Sequence, residues 1–451
     1  MRFKATPLAL ATALALCSSP SFAVDLMQSY TQARQSDPTL AISESQNAIS
    51  KEGVVQSRSI LLPQINGRLS MNKNDSDGTL SNNTTFESNS TTQNTSASLN
   101  QSIYNYGNYA RLSGSKARAN QSNAELDSAN DSLIIRVSEA YFNVLTAIDT
   151  LAASRAEERA VKRQLDQAEK RLEVGLAPIT DVHEAKARYD SSRANTILAD
   201  NAVIDAREAL NEITGAAQTT NIKGLSDNYQ PVGEARKATA ELVTEALSNN
   251  PTIQARELAL EAAQDDIKLA KSGHLPYLDG SANLSKSSLK NGDVSPFSTT
   301  DSNSTGISVS LIVPIFSGFN TQSQVRESVS RRDIAAEQLE QSKRAITRQV
   351  RNADRNLEAG LAEVEARRLA VVSAKSALEA GEVGLEVGTR TIIDVLLAQQ
   401  QLFNATREYS RSRHNYLMNT LRLKQAAGSL EVADVENINR LLTADAEQKI
   451  Q

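Results

Sequence analysis

Two hydrophobic periods alternate along this chain. Four short stretches place apolar or small residues at every second position: Ile65, Gly67, Leu69 and Met71; Ala97, Leu99, Gln101 and Ile103; Leu278, Gly280, Ala282 and Leu284; and Ile307, Val309, Leu311 and Val313. Polar residues fill the gaps, so each stretch reads as a strand with one apolar face. Ser/Asn/Thr/Gly-rich segments at about 72–95 and 286–305 separate the members of each pair, which predicts β-hairpins at about 64–104 and 277–316. Elsewhere the period lengthens. Leu339, Ile346, Val350, Ala353, Leu357, Leu361 and Val364 are spaced in threes, fours and sevens, as in a coiled coil.

Proline and glycine mark the ends of these elements. No proline falls between Pro63 and Pro178 or after Pro314, leaving room for helices over about 110–171 and 323–379. Sixty residues of helix extend roughly 90 Å at 1.5 Å per residue. Each long helix returns through a tip, Val174-Gly175-Leu176-Ala177-Pro178-Ile179-Thr180-Asp181 at 174–181 and Val387-Gly388-Thr389-Arg390-Thr391-Ile392-Ile393-Asp394 at 387–394. Glycine stops the incoming helix where positive φ is needed. Thr180 or Asp181, and Thr391, are expected to cap the outgoing helices, which end near Gly215 and Gly428. Asp37-Pro38 and Asn250-Pro251 open a shorter helix in each half as cap and first-turn proline.

The same unit is therefore written twice. Ala33, Pro38, Leu62, Pro63, Val137, Gly175, Asp181 and Gly215 recur 213 positions later as Ala246, Pro251, Leu275, Pro276, Val350, Gly388, Asp394 and Gly428. Turn residues and apolar positions both repeat, as they do when a folded motif is duplicated. We read 24–215 and 244–428 as the repeats, 216–243 as a linker and 429–451 as a C-terminal segment. Alternating strands joined by polar loops are expected of outer-membrane hairpins, although half-buried soluble hairpins share the pattern. Four strands cannot close a membrane barrel, which starts at about eight. Three copies would pool twelve, but periodicity alone does not select three over two.

Composition narrows the function. Arg2 and Lys4, the apolar run from Leu8 to Leu16 and Ser21-Phe22-Ala23 form a secretory signal over 1–23. The sole cysteine, Cys17, leaves with it, and Leu16 does not fit a lipobox. The formal charge of −5 becomes −7 without Arg2 and Lys4, which disfavours nucleic acid. The absence of tryptophan and 4% aromatic content suit long helices better than a compact enzyme core. His183, His274 and His414 are scattered, with neither metal-ligand spacing nor a nucleophile motif, so no catalysis, cofactor or metal is expected.

Longer segments carry a family resemblance. Asp25-Leu26-Met27-Gln28, Gln32-Ala33-Arg34, Ala140-Tyr141-Phe142-Asn143-Val144-Leu145, Arg163-Gln164-Leu165-Asp166-Gln167, His274-Leu275-Pro276, Asn415-Tyr416-Leu417 and both tips occur in order. Across essentially the whole mature chain this resembles the TolC family of outer-membrane channel-tunnels. The resemblance implies an α+β membrane protein: a homotrimer with a 12-strand outer-membrane β-barrel, four strands per chain. That barrel would continue into a long α-helical coiled-coil periplasmic tunnel, with 216–243 and the segment from Ser429 in an equatorial belt. Implied partners are outer-membrane lipid, a periplasmic adaptor and an inner-membrane transporter of RND, ABC or MFS type.

The same resemblance assigns roles at the tips. Thr180, Asp181 and Arg390 match contacts that close the periplasmic entrance, although Arg390 could instead cap a helix C-terminus. Asp394 matches the outer of two carboxylate rings, where mutual repulsion would raise its pKa. Here the second ring position is Leu397, and Leu385 stands where the family has a gate tyrosine. Val174, Gly175, Leu176, Thr180, Val387, Gly388 and Thr389 match the grooves that receive adaptor hairpins, although both glycines could serve the turns alone. The leading expectation is a passive exit duct for small toxic compounds, drugs or secreted proteins. An envelope coiled-coil scaffold without channel activity is the alternative.

Overall fold

The structure is a computed structural model, and it describes residues 24–79, 81–215, 222–226, 229–231, 233, 237–291 and 300–449. The signal segment expected over 1–23 and much of the linker expected over 216–243 lie outside the described residues. Two short helices, α1 (Leu26–Ser36) and α2 (Pro38–Ser59), lead into strands β1 (Gln64–Thr79) and β2 (Thr85–Tyr104). Helices α3 (Tyr106–Glu173) and α4 (Ile179–Thr214) complete the first repeat. After the two-residue strand β3 (Lys223–Gly224) the order recurs as α5 (Thr239–Asn249), α6 (Pro251–Ser272), β4 (Tyr277–Asn291), β5 (Asp301–Ile312), α7 (Asn320–Glu386) and α8 (Ile392–Ala427). Helix α9 (Val432–Asn439), strand β6 (Ala444–Asp445) and a 3₁₀ turn at Ala446–Lys449 follow. At 68 and 67 residues, α3 and α7 each extend about 100 Å. They run past the expected 110–171 and 323–379 at both ends.

Contacts divide the chain into two compact units. One contains Ser43–Leu126 and Pro251–Arg344, including all four long strands. They form one antiparallel sheet in the order β1-β2-β4-β5, and its register explains the alternation in the sequence. Ile65 pairs with Leu99, Leu99 with Ala282 and Ala282 with Ile307. Gly67, Ala97 and Leu284 form the next row on the same face, and Gly280 with Val309 another. The opposite face carries Gln64, Asn100, Ser281 and Ser308, then Asn66, Ser98 and Asn283. One side of the sheet thus carries apolar residues on every strand, interrupted by Gln101 and Thr305, and the other is polar. From Leu278 to Leu284 the apolar band rises about 20 Å, close to the height of an outer-membrane belt. Its side chains are bare in the single chain: Ile65 is 73% exposed and Ile307 84%.

The other unit contains the described residues up to Ile42, Asp127–Asn250 and everything from Ala345. Its core gathers Leu133, Val137, Tyr141, Val144 and Ile148 of α3 with Leu421 of α8 and Leu210 of α4, all fully or almost fully buried. Polar groups lock it. Asp37 caps α2 through the Leu40 N–H at 2.8 Å and receives both arms of Arg136, at 3.1 and 2.6 Å. That bond to Arg136 is the chief reason its carboxyl sits below the usual range. The Tyr141 hydroxyl donates toward Val24 O at 3.2 Å and Lys223 O at 2.6 Å, and β3 pairs with β6. The two termini and the linker are thereby tied to the helices.

A second buried cluster holds the C-terminal segment. Lys449 reaches Asp149 Oδ1 at 3.0 Å, the Ser410 hydroxyl bonds the same carboxylate, and His414 Nδ1 shares a hydrogen with Thr146 Oγ1 at 2.9 Å. Burial lowers the His414 pKa to about 4. Burial pushes the Asp149 carboxyl up, but Lys449, His414 and Ser410 outweigh it and hold the group below its ordinary value. Both shifts give the folded cluster fewer protons than the unfolded chain, so its stability declines as pH falls from 6.5 toward about 4.

Two outcomes are expected. Hydrogen-exchange protection of residues 430–449, corrected for the intrinsic rate, should fall over that pH window, and Lys449→Ala should lower it already at neutral pH. Gly428 ends α8 at φ 72°, where an added Cβ would lie 2.7 Å from Asn250 N, whereas Gly388 at φ 79° has open space. Gly388→Ala should cost about 1–2 kcal/mol from the backbone alone. Gly428→Ala should cost more than that in denaturant titration, because the helix end must also move.

Candidate functional site

The two helical tips contain the residues singled out for gating and docking, except Leu385, which lies in the last turn of α7. At the first, Gly175 takes φ 75°, its N–H donates to Leu172 O at 2.9 Å and the Leu176 N–H to Arg171 O at 2.8 Å. At the second, the Gly388 N–H donates to Leu385 O at 3.3 Å and the Thr389 N–H to Gly384 O at 2.8 Å. Both turns close the incoming helix by the same left-handed motif. A Cβ at either glycine would meet nothing within 4 Å, so backbone conformation rather than crowding calls for glycine there.

The outgoing helices start differently. Thr391 caps α8, with its Oγ1 accepting from the Asp394 N–H at 3.2 Å and its own N–H donating to Asp394 Oδ2 at 2.9 Å. Neither Thr180 nor Asp181 caps α4. The cap residue is Pro178, extended at ψ 156° and without a side-chain bond, and its carbonyl accepts from the Asp181 N–H at 3.1 Å. Proline fixes its own φ and donates nothing, so the helix can begin directly after it. Thr180 and Asp181 fall in the first turn, where a carboxylate complements the helix dipole.

An apolar cluster joins the two hairpins behind the tips. Val161, Leu165 and Ala168 of α3, Ala185 of α4, and Ile392 and Leu396 of α8 are buried together, with Val182, Tyr189 and Leu385 packed against them. Leu385 therefore contributes apolar contact where a tyrosine would offer a hydroxyl. Beside it lies a cleft of about 230 Å³ lined by Arg171, Leu176, Asp181, Leu385, Gly388 and Arg390, among others. The fold thus brings Asp181 and Arg390 to one cleft. It does not pair them: among the described residues no ion pair or side-chain hydrogen bond engages Arg390, and Thr180 is fully on the surface. The guanidinium does not cap a helix C-terminus either.

The sequence reading did not single out Gly384, which positions that arginine. Its carbonyl accepts from the N–H groups of Thr389 and Arg390, at 2.8 and 3.1 Å, and from Thr389 Oγ1 at 3.2 Å. A Cβ on Gly384 would lie 2.6 Å from Arg390 Cγ, so the arginine stem rests on the bare glycine. Two glycines, Gly381 and Gly384, inside a long helical pattern were the available signal.

Asp394 and Leu397 sit one turn apart at the start of α8. The Thr391 backbone bond, then its hydroxyl, holds the Asp394 carboxyl below its ordinary value. That is opposite in direction to the mutual repulsion expected of a ring, because the cap acts within one chain. Leu397 is 42% exposed. The remaining tip residues project outward: Val174 is 67%, Leu176 71% and Val387 68% exposed.

A sheet with one apolar face, two duplicated long-helix hairpins and glycine tips make up a distinctive set, and comparison with known proteins places it. The outer membrane efflux protein family model matches residues 29–216 and 242–429, the two repeats. The chain belongs to this family. Outer membrane protein TolC of Vibrio cholerae is 37% identical over 97% of this chain and 98% of its own length. Alkaline protease secretion protein AprF of Pseudomonas aeruginosa is 27% identical, covering 94% and 88%. Among solved structures, the outer membrane protein VceC from Vibrio cholerae superposes with a TM-score of 0.74 at 18% identity, covering 90% of this chain and 96% of that one. The chain is an outer-membrane efflux duct, a transport protein rather than an enzyme.

Asp394→Asn removes the charge while keeping a cap acceptor. It should lower cation preference in planar-bilayer reversal potentials and leave thermal stability within about 1 kcal/mol of the parent.

Proposed function

We propose that three copies of this chain pool their sheets into a twelve-strand barrel and their helix hairpins into a periplasmic tunnel. The observation that carries this is the sheet itself: an apolar face about 20 Å high and two outer strands, β1 and β5, whose far edges pair with nothing among the described residues. Backbone groups cannot stay unpaired in hydrocarbon, so the edges must meet other copies. An even total keeps the pattern antiparallel. Residues 1–23 would be removed on export, and 216–243 with 429–451 would form the equatorial belt.

At the entrance, Arg390 of each copy would bond Asp181 and Thr180 of another, since it does neither within its own chain. Charge-assisted contacts of this kind hold by geometry but contribute only about 0–1 kcal/mol each when exposed. A gate so held stays shut at rest and yields to a partner. That partner would be a periplasmic adaptor docking on Val174, Gly175, Leu176, Thr180, Val387, Gly388 and Thr389, with an RND, ABC or MFS transporter in the inner membrane supplying energy. Asp394 and Leu397 would set a constriction with one acidic ring and one apolar step. The cargo is small toxic compounds or drugs, secreted protein, or both; the relative AprF is an alkaline protease secretion protein, which supports the second.

Purified protein should be trimeric by native mass spectrometry in detergent and form channels in planar bilayers. Arg390→Ala and Asp181→Asn should each raise single-channel conductance. A monomer in plain buffer that inserts into no bilayer would overturn the assembly, and unchanged conductance would remove these two residues from the gate.

A further inference from the structure

Far from the tips, α3, α7 and α8 meet around a polar cavity of about 460 Å³. A volume of that size suits a small-molecule site. Two guanidinium groups, of Arg348 and Arg422, line it with carboxamides from Gln349, Asn352, Asn419 and Gln425. Among the described residues no carboxylate does, although the whole chain has a formal charge of −5. These groups are positioned but not used up. Arg422 is steadied by Glu139 at 3.3 Å through a single nitrogen. The Asn352 carbonyl accepts from Arg355, which leaves its amide hydrogens to donate. Asn419 Nδ2 reaches Asn356 O at 3.5 Å, which leaves its own carbonyl to accept. Arg348, Gln349 and Gln425 make no side-chain bond among the described residues.

The first repeat has no equivalent of this set. Positions 213 before Arg348, Asn352, Asn419, Arg422 and Gln425 hold Ile135, Glu139, Ala206, Ala209 and Glu212. Both hairpins pack as long helix pairs, so packing does not call for two guanidinium groups and a row of amides in one of them. The side on which the cavity opens is also fixed. Val350, Asp354 and Leu357, on the opposite side of α7, are buried, and Asp354 accepts from Thr239 Oγ1 at 2.7 Å. Thr239 belongs to the segment proposed for the equatorial belt, so the cavity opens away from the belt, toward the bore of the tunnel.

We propose that this cavity binds a small hydroxylated carboxylate, of the size of a uronic-acid disaccharide, on its way through the duct. Guanidinium groups match carboxylates as a planar fork. Carboxamides both donate and accept, and so match hydroxyls. Ile135, Ala345 and Ala353 are the only apolar residues lining the cavity among those described, so an apolar compound gains little there. The inference rests on the multi-copy assembly proposed above and narrows its cargo.

The test uses digalacturonate on single channels in planar bilayers. It should block the current reversibly and saturably, and lactose, a neutral disaccharide, should not at equal concentration. Arg348→Gln should raise the half-blocking concentration about tenfold, the effect of losing one charge-assisted hydrogen bond. Gln349→Glu should abolish the block. Both side chains are exposed on α7 and bond nothing among the described residues, so native mass spectrometry should show the parent's oligomer for both variants. Calorimetric titration of the detergent-solubilised proteins with digalacturonate should rank parent and variants in the same order. Equal block by lactose, or one half-blocking concentration for parent and variants alike, overturns the site. A parent that forms neither trimer nor channel overturns the assembly instead, and titration then decides the site by itself: binding lost in Arg348→Gln upholds it, and no binding to the parent overturns it.

Discussion

Backbone amides and carbonyls along the outer edges of β1 and β5 have no strand partner among the described residues, and hydrocarbon offers no water to replace one. Each unpaired group in that setting costs several kcal/mol. The apolar face of the sheet sets the complementary demand, because in water it would leave a large patch bare. One chain can meet neither demand, since four strands cannot close. In the assembly proposed above, the number of copies would follow from the sheet, and whatever joins the helices would have to be compatible with a symmetry chosen there.

Duplication supplies the rest of the plan at low informational cost. The two helix hairpins share lengths of 68 and 67 residues going out and 36 and 36 returning, and each ends on a left-handed glycine. Such near-equality lets the halves stand side by side as approximate equivalents. Differences between them then carry function. Arg171 occupies the place that Gly384 has in the second repeat, so only the second tip folds its arginine back over a bare backbone. Thr391 caps its helix where the first tip has Pro178 at the helix start.

Local chemistry made much of this legible from residues alone. Alternation along Ile65–Met71 and Ile307–Leu311 has a period of two because successive side chains point to opposite faces of the sheet, and the register aligns Ile65, Leu99, Ala282 and Ile307 on one of them. The glycine tips were legible because positive φ admits few other residues. What escaped reading depends on contacts far apart in sequence. Nothing near Lys449 announces that it will meet Asp149, 300 residues earlier. Gly384 falls beyond the expected helix end at about 379, yet the helix runs through it and its missing side chain makes room for Arg390. The cap at Pro178 was missed since threonine and aspartate are better caps in general, and here proline takes the position first.

Energetics separate the parts of the molecule that hold from the parts that move. Around Asp37 and Asp149, carboxylates are buried and surrounded by cations and hydroxyls, where removing one partner strands a charge and is strongly opposed. At the tips the charged side chains stand in water, where each pair contributes little and salt screens it. The apolar cluster containing Leu385 holds each chain's two hairpins as one body, so opening need not disrupt that packing. In the proposed assembly, motion would be cheapest where weak polar contacts between copies meet, at the entrance. A tightly built region around Asp37 and Asp149 and a loosely latched tip would therefore be consequences of where water reaches, and in the proposed assembly a partner would need only modest differential affinity to shift the balance.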